Sequence, residues 1–278
     1  MRVFNTATEV IKQGGMRRGA NMAVLRVDHP DILEFIRAKR DPEAFTAFNL
    51  SVGVTDRFLR ALRKNGEIGL VNPRTGRSVR TVSAREIWNA VVQSAWQSGE
   101  PGVLFLDRID AANPTPALGE IEATNPCGEQ PLLPYEACVL GSVNISRMIE
   151  GRGNPRIDWQ RLAGAVALAV RFLDDVVEVN HYPIPEIART TRASRKVGLG
   201  VMGWADLLIR LEVPYDAPEA IRLGSRVMRF IRLHAYKASE ALARERGAFP
   251  NLRQSRFAKK GPRLRNATLT TIAPTGTL

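Results

Sequence analysis

Asn125, Cys127 and Glu129 stand at i, i+2 and i+4 in the stretch Ala123-Thr-Asn-Pro-Cys-Gly-Glu-Gln-Pro131. Pro126 and Gly128 between them argue against a helix interior and predict a tight loop. In looped or extended backbone a spacing of two sends side chains to one side. An amide, a thiol and a carboxylate would then converge on one small volume. The thiol would act as a nucleophile or one-electron centre, the carboxylate as a proton acceptor, and the amide as an orienting hydrogen-bond partner. The same three residues also fit a surface loop with a structural cysteine, the commoner use of a free thiol.

The elements that would hold this loop are readable on either side of it. Strands alternate with helices throughout, with no repeat or linker, which predicts one α/β domain with mostly parallel strands. Residues 4–13 read as a helix with Phe4, Ala7, Val10 and Ile11 on one face, ended by Gly14-Gly15. Met22–Val27, Phe48–Val54 and Gly102–Leu106 read as buried strands. A helix from about Pro30 to Arg40 follows the first, and a helix capped by Thr55 follows the second. A hairpin spans residues 66–82. Ser83 and Glu86 form a capping box for a helix to about Ser98, whose core side is Trp88, Val91, Val92, Ala95 and Trp96. Residues 107–137 read as one long loop, a length that is usually functional or disordered. Cys138–Ile145 leaves it as a strand.

Asp158 caps a helix to Val179 whose centre, Leu162–Val170, is apolar nearly all round and so predicted to be deeply buried. A basic helix (Pro185–Arg195), a strand (Val197–Met202) and a short helix (Trp204–Leu211) come next. The longest helix begins near Asp216 and ends near Gly247, with Ile221, Val227, Met228, Ile231, Ala235 and Leu242 inward. Thr268–Ile272 reads as a final strand running into Ala273-Pro-Thr-Gly-Thr277.

Composition narrows the function classes. The chain has 278 residues and ordinary apolar content, enough for a sizeable core without staples. No apolar run is long enough to span a membrane, and residues 1–20 lack the pattern of a signal peptide, so a cytoplasmic location is expected. Two cysteines make no disulfide scaffold, and His29, His181 and His234 are scattered, so no metal site is expected. The net charge of +12 rests mainly on arginines dispersed along the chain, the pattern of a solvated surface. Only Arg253–Arg265 clusters as a basic loop, a candidate contact for phosphate or a partner. Aromatic residues are few and fall mostly on apolar helix faces, which argues against a nucleic-acid surface.

The wider stretch Asn125-Pro-Cys-Gly-Glu-Gln-Pro-Leu-Leu-Pro-Tyr-Glu-Ala-Cys138, followed by Leu140-Gly-Ser-Val-Asn144, closely resembles the active-site finger loop of ribonucleotide reductases. Ala7–Met22 with Leu25–Ile32, and Ala273–Thr277, are similar to two further blocks of that family. With the connecting elements the likeness covers essentially the whole chain. It is nearest to class II, the adenosylcobalamin-dependent branch. In the tyrosyl-radical branch two adjacent tyrosines follow the strand matching Val197–Met202, and here those positions read Asp206 and Leu207.

The resemblance implies a ten-stranded α/β barrel, of which residues 1–278 would be the middle, a single catalytic barrel domain. It implies that Cys127 carries a thiyl radical that removes the 3′ hydrogen of a ribose. Glu129 would take the 3′ hydroxyl proton, Asn125 would hold the ribose hydroxyls, and Cys138 would be one of two reducing thiols. Pro274, Thr275, Gly276 and Thr277 would bind substrate phosphates through turn N–H groups. Adenosylcobalamin would be the radical source and a ribonucleoside diphosphate the substrate. A thioredoxin-like dithiol would be the reductant, and a homodimer would form through parts outside this chain. Two departures qualify the match. The family's second redox thiol lies before this segment and no third cysteine is present, and Val139 stands where the family more often has Asn. An inactive truncated fragment and a basic nucleic-acid-binding protein are the alternatives.

Overall fold

The computed structural model describes residues 1–11, 19–151, 153–259 and 261–273. The chain forms two compact units, Met1–Asn113 with Glu120–Leu133, and Pro114–Gly119 with Pro134–Leu278.

The first unit runs α1 (Arg2–Val10), β1 (Asn21–Arg26), α2 (Ile32–Ile36), β2 (Phe48–Val54), α3 (Asp56–Arg63), β3 (Glu67–Val71), β4 (Ser78–Ser83), α4 (Ala84–Ser98), β5 (Gly102–Phe105), α5 (Leu106–Ala112), then the two-residue strands β6 (Ala123–Thr124) and β7 (Pro131–Leu132). β1, β2 and β5 form a parallel sheet with β2 in the middle. The central place of β2 explains its composition, since a strand covered on both faces reads as a nearly continuous apolar run. Val27, Ile32, Val52, Val54, Phe58, Ile68, Leu70 and Ile87 build the core around it. Thr55 caps α3 as expected, its Oγ1 accepting from Phe58 N at 3.2 Å. Gly53 packs closely under α5, and a Cβ there would lie 2.6 Å from Leu106 Cδ1 and displace that side chain.

Three expectations fail here. α4 turns Ala84, Ile87, Ala90, Val91 and Ser94 inward and leaves Val92 and Trp96 exposed. Apolar residues around much of a helix do not define one face, and packing against α2 and α3 selects the stripe that is buried. Ser83 makes no side-chain cap bond. Phe4, Val10 and Ile11 are exposed on α1, where the buried residue is Asn5, whose Oδ1 accepts from Ala47 N at 3.0 Å. The Gly14-Gly15 stop lies outside the described residues.

The second unit runs β8 (Val139–Asn144), β9 (Ile149–Glu150), β10 (Arg156–Ile157), α6 (Trp159–Val179), α7 (Pro185–Ser194), β11 (Val197–Met202), α8 (Trp204–Arg210) and α9 (Pro218–Arg246). β8 and β11 pair in parallel, from Val139↔Val197 to Asn144↔Met202. The predicted strand Thr268–Ile272 is reduced to a parallel bridge between Thr270 and Leu199. Its backbone still follows β11, with Leu199 N on Leu269 O at 2.8 Å and Thr271 N on Leu199 O at 3.1 Å. Asp158 caps α6 by accepting from Arg161 N at 2.8 Å. α6 and α9 pack together over this sheet around Leu162, Val166, Val170, Leu173, Val227 and Ile231.

α6 is not buried all round: Leu168 and Phe172 face outward at 69% and 64% exposure. Ile221, expected inside α9, is likewise exposed, and Ala220 is buried in its place. The basic loop is also corrected. Arg265 is drawn inward, its Nε 3.3 Å from Asp174 Oδ2. The surrounding Arg253–Arg265 segment therefore does not present all its charge to solvent. Parallel β-α-β organisation in both units agrees with the α/β expectation, and each sheet among the described residues is open. No described helix is long and apolar enough to cross a membrane.

Candidate active site

The Asn125–Gln130 loop is the turn of a hairpin. β6 and β7 pair antiparallel, Ala123 with Leu132 and Thr124 with Pro131. The loop is closed by Asn125 N on Gln130 O at 3.2 Å and by Gln130 N on Asn125 Oδ1 at 3.0 Å. Inside it, Gly128 N donates to Asn125 O at 3.0 Å. Asn125-Pro126-Cys127-Gly128 is therefore a hydrogen-bonded β-turn with Pro at the second position and Cys127 at the third. Gly128 has φ +84°, while Cys127 is not among the residues with positive φ. That combination is the type I pattern, which favours Asn first, Pro second and Gly fourth. Cys127 is exposed at the apex. Glu129 is half-buried, its Oε2 shielded from solvent.

Asn125, Cys127 and Glu129 thus lie on one six-residue hairpin loop, a tight turn as Pro126 and Gly128 predicted. What the spacing did not predict is that the Asn125 oxygen is engaged by the loop itself. Asn49 on β2 also was not foreseen: its Nδ2 donates to Pro126 O at 2.6 Å. A lone Asn in an apolar strand is the only signal the sequence offered for it.

Cys138 belongs to the second unit, immediately before β8, and is half-buried. Its segment is pinned twice. Ala137 N donates to Thr191 Oγ1 at 3.1 Å, and Thr191 is itself buried. Lys196 forms an ion pair with Glu136, both side chains 1% exposed. Lys196 precedes β11 and Glu136 lies just before β8, so the pair ties together the entries of two adjacent parallel strands. Lys196→Met removes the cation from beside a buried carboxylate and should cost about 3–5 kcal/mol. The urea midpoint of unfolding reads this loss, and Glu136→Gln added to Lys196→Met should recover much of it.

A cleft of about 560 Å³ opens at the other end of the same strands, lined by Ile145, Met202, Trp204, Asp206, Tyr215 and Ile272 among others. The C-terminal edge of a parallel sheet is where α/β folds place ligands. Its wall is mostly apolar, with an indole, thioethers, one carboxylate and one phenol. Such a wall suits a flat group with a polar edge. Asp206 lines this cleft, whereas Leu207 is buried in the core. Pro274, Thr275, Gly276 and Thr277 lie outside the described residues. No group of three or more His, Cys, Asp or Glu among the described residues is placed to hold a metal ion.

Residues 1–263 match the family model described as "Ribonucleotide reductase, barrel domain". The chain is 55% identical over 279 residues to a Vitamin B12-dependent ribonucleoside-diphosphate reductase of Mycobacterium tuberculosis (strain CDC 1551 / Oshkosh), covering 100% of this chain and 40% of the relative. It is 51% identical over 280 residues to a protein of the same description from Thermoplasma acidophilum, covering 100% of this chain and 36% of that one. A putative ribonucleoside-diphosphate reductase large subunit of Frog virus 3 is 36% identical over 94% of this chain and 47% of its own length. The chain spans about 40% or less of the length of the first two.

Proposed function

The chain belongs to the ribonucleotide reductase barrel-domain family, and from that premise we propose that it is the central part of a class II, adenosylcobalamin-dependent ribonucleoside-diphosphate reductase. Its two units would be portions of the ten-stranded α/β barrel, completed by strands outside this segment. The observation that carries the reading is the hairpin loop with Cys127 exposed at its apex and Glu129 two residues on.

In this reading Cys127 holds the unpaired electron and takes the 3′ hydrogen of the ribose. A turn apex suits the role, because the thiol must reach the substrate carbon while its backbone stays fixed. Glu129 accepts the 3′ hydroxyl proton, and its shielded oxygen places that transfer away from bulk water. Asn125 meets the ribose hydroxyls chiefly through Nδ2, since its Oδ1 holds the loop. The 2′ hydroxyl leaves as water, and two thiols supply the two electrons by becoming a disulfide. Cys138 is one of them and the other lies outside this chain. Cys127 then recovers its electron by returning the hydrogen to C3′. Pro274, Thr275, Gly276 and Thr277 would receive the diphosphate.

Adenosylcobalamin, when bound, supplies the initial unpaired electron. The cleft beside Trp204 would hold a part of it, with Met202, Trp204 and Met228 as an apolar wall and Asp206 and Tyr215 as a polar edge. These side chains would orient the group and exclude water. That Asp206 and Leu207 occupy the positions of the tyrosine pair supports this branch over a tyrosyl relay. A thioredoxin-like dithiol would reduce the spent disulfide, the assembly would be a homodimer, and its place would be the cytoplasm.

The test is reduction of a ribonucleoside diphosphate by the full-length protein with adenosylcobalamin and dithiothreitol. The expected result is deoxyribonucleotide that forms only when both are present. Absence of product together with absence of cobalamin binding would overturn the reading.

A further inference from the structure

We infer that Asn49 is a positioning residue for Cys127, and that the Lys39–Glu100 ion pair aims it. The inference rests on the role proposed for Cys127.

One edge of β2 is incompletely paired. The strand pairs with β1 along Phe48–Gly53, but its pairing with β5 starts only at Ser51. Backbone groups alternate in direction along a strand, so those of Phe48 and Leu50 face the side where β5 is missing. Two side chains fill the gap. Lys39 Nζ donates to Phe48 O at 2.7 Å, and Leu50 N donates to Glu100 Oε2 at 2.8 Å. Lys39 and Glu100 also pair with each other at 2.7 Å, at 17% and 23% side-chain exposure. The peptide groups on both sides of Asn49 are therefore hydrogen-bonded although β5 is missing there, and Asn49 itself is exposed.

From this fixed base the Asn49 amide donates to Pro126 O at 2.6 Å. That oxygen belongs to the peptide joining Pro126 to Cys127, the middle peptide of the β-turn. The orientation of the middle peptide is what separates type I from type II. A flip would force Cys127, in the third position, to positive φ, which a side-chain-bearing residue resists. It would also swing the thiol to another direction. The bond from Asn49 holds the carbonyl in the type I orientation and so sets where the sulfur points. Gly128 alone does not, because φ +84° at the fourth position is compatible with several loop paths.

The experiment compares Asn49→Leu, Asn49→Asp and Asn49→Gln in the full-length protein. Leu and Asp cannot donate to the carbonyl, whereas Gln can. Leu and Asp should lower kcat roughly 10- to 100-fold with KM held within about twofold, the signature of misaimed rather than unbound substrate. Hydrogen exchange at the Gly128 amide should accelerate by roughly tenfold in the same two variants, as the turn opens more often. Gln should recover at least part of both. The exchange readout needs neither substrate nor cobalamin. If the wild-type protein reduces no ribonucleotide, the proposed function fails while Gly128 exchange still decides the role of Asn49. Unchanged exchange in Leu and Asp overturns the inference whatever kcat does, and so does a change in KM alone.

Discussion

In the full-length protein Cys127→Ser should leave the proposed ribonucleotide reduction at least about 10³-fold below wild type, equivalent to about 4 kcal/mol or more of lost transition-state stabilisation. Serine keeps the size of the side chain and occupies an exposed apex, so the fold and the hairpin bonds are expected to survive. What is lost is the sulfur, whose weak S–H bond and stable radical the proposed reaction needs and an alcohol cannot imitate. Glu129→Gln should give a smaller loss, about 10²- to 10⁴-fold, because it removes the proposed proton acceptor but leaves the proposed radical site intact. The paired measurement is product formation beside a thermal melt of each variant. A Cys127→Ser variant that turns over at the wild-type rate would show that the loop cysteine does no chemistry. Reduced activity accompanied by a large fall in Tm would trace the loss to folding instead.

Asp174→Ala should cost the protein about 3–5 kcal/mol, the usual penalty for removing one member of a buried ionic cluster. Asp174 is 0% exposed. Its Oδ1 accepts from Arg195 Nε and from Asn266 Nδ2, each at 2.9 Å. Its Oδ2 faces Arg246 and Arg265 at 3.4 and 3.3 Å. One carboxylate thus contacts three guanidiniums drawn from the ends of α7 and α9 and from the segment that follows. Asp175 and Glu178 assist from the rim, Asp175 bonding Arg246 and raising its pKa above the ordinary value despite burial. Without Asp174 the Arg195 side chain, only 3% exposed, would remain charged in the interior. For a domain of this size the loss corresponds to a fall in Tm of roughly 6–20 °C. Asp174→Asn should lie between wild type and alanine, since it keeps hydrogen-bond acceptance and loses the charge. A melt within about 2 °C of wild type for the alanine variant would show that the arginines re-solvate and that the cluster is not structural.

The cluster also explains why charge was the least legible property of the chain. In the sequence Arg246 and Arg265 are two among many dispersed arginines, and Arg265 looked like the end of a basic loop. Nothing local marks Asp174, set in the apolar run of α6, as their common partner. The contacts span up to 91 positions, and pairing over such distances is decided by how helices and strands stack, not by neighbours in the chain.

The candidate site divides along the same line. Pro126 and Gly128 by themselves determined a turn, because proline restricts φ and glycine admits its positive value, and the spacing of Asn125, Cys127 and Glu129 placed all three on it. The strands β2, β8 and β11 and the caps at Thr55 and Asp158 were equally local, resting on apolar runs and on side chains that reach three residues ahead. The inward face of α9 was legible apart from Ile221, but tertiary structure alone decided which face of α4 and α6 is buried. Their apolar residues outnumber the positions one sheet can cover, and the choice falls to packing against particular neighbours. It also decided that Asn49 reaches Pro126 across 77 positions and that Lys196 meets Glu136 across 60. A hydrogen bond or ion pair of that range exists only once the fold has brought distant segments side by side, and no periodicity in the chain encodes it.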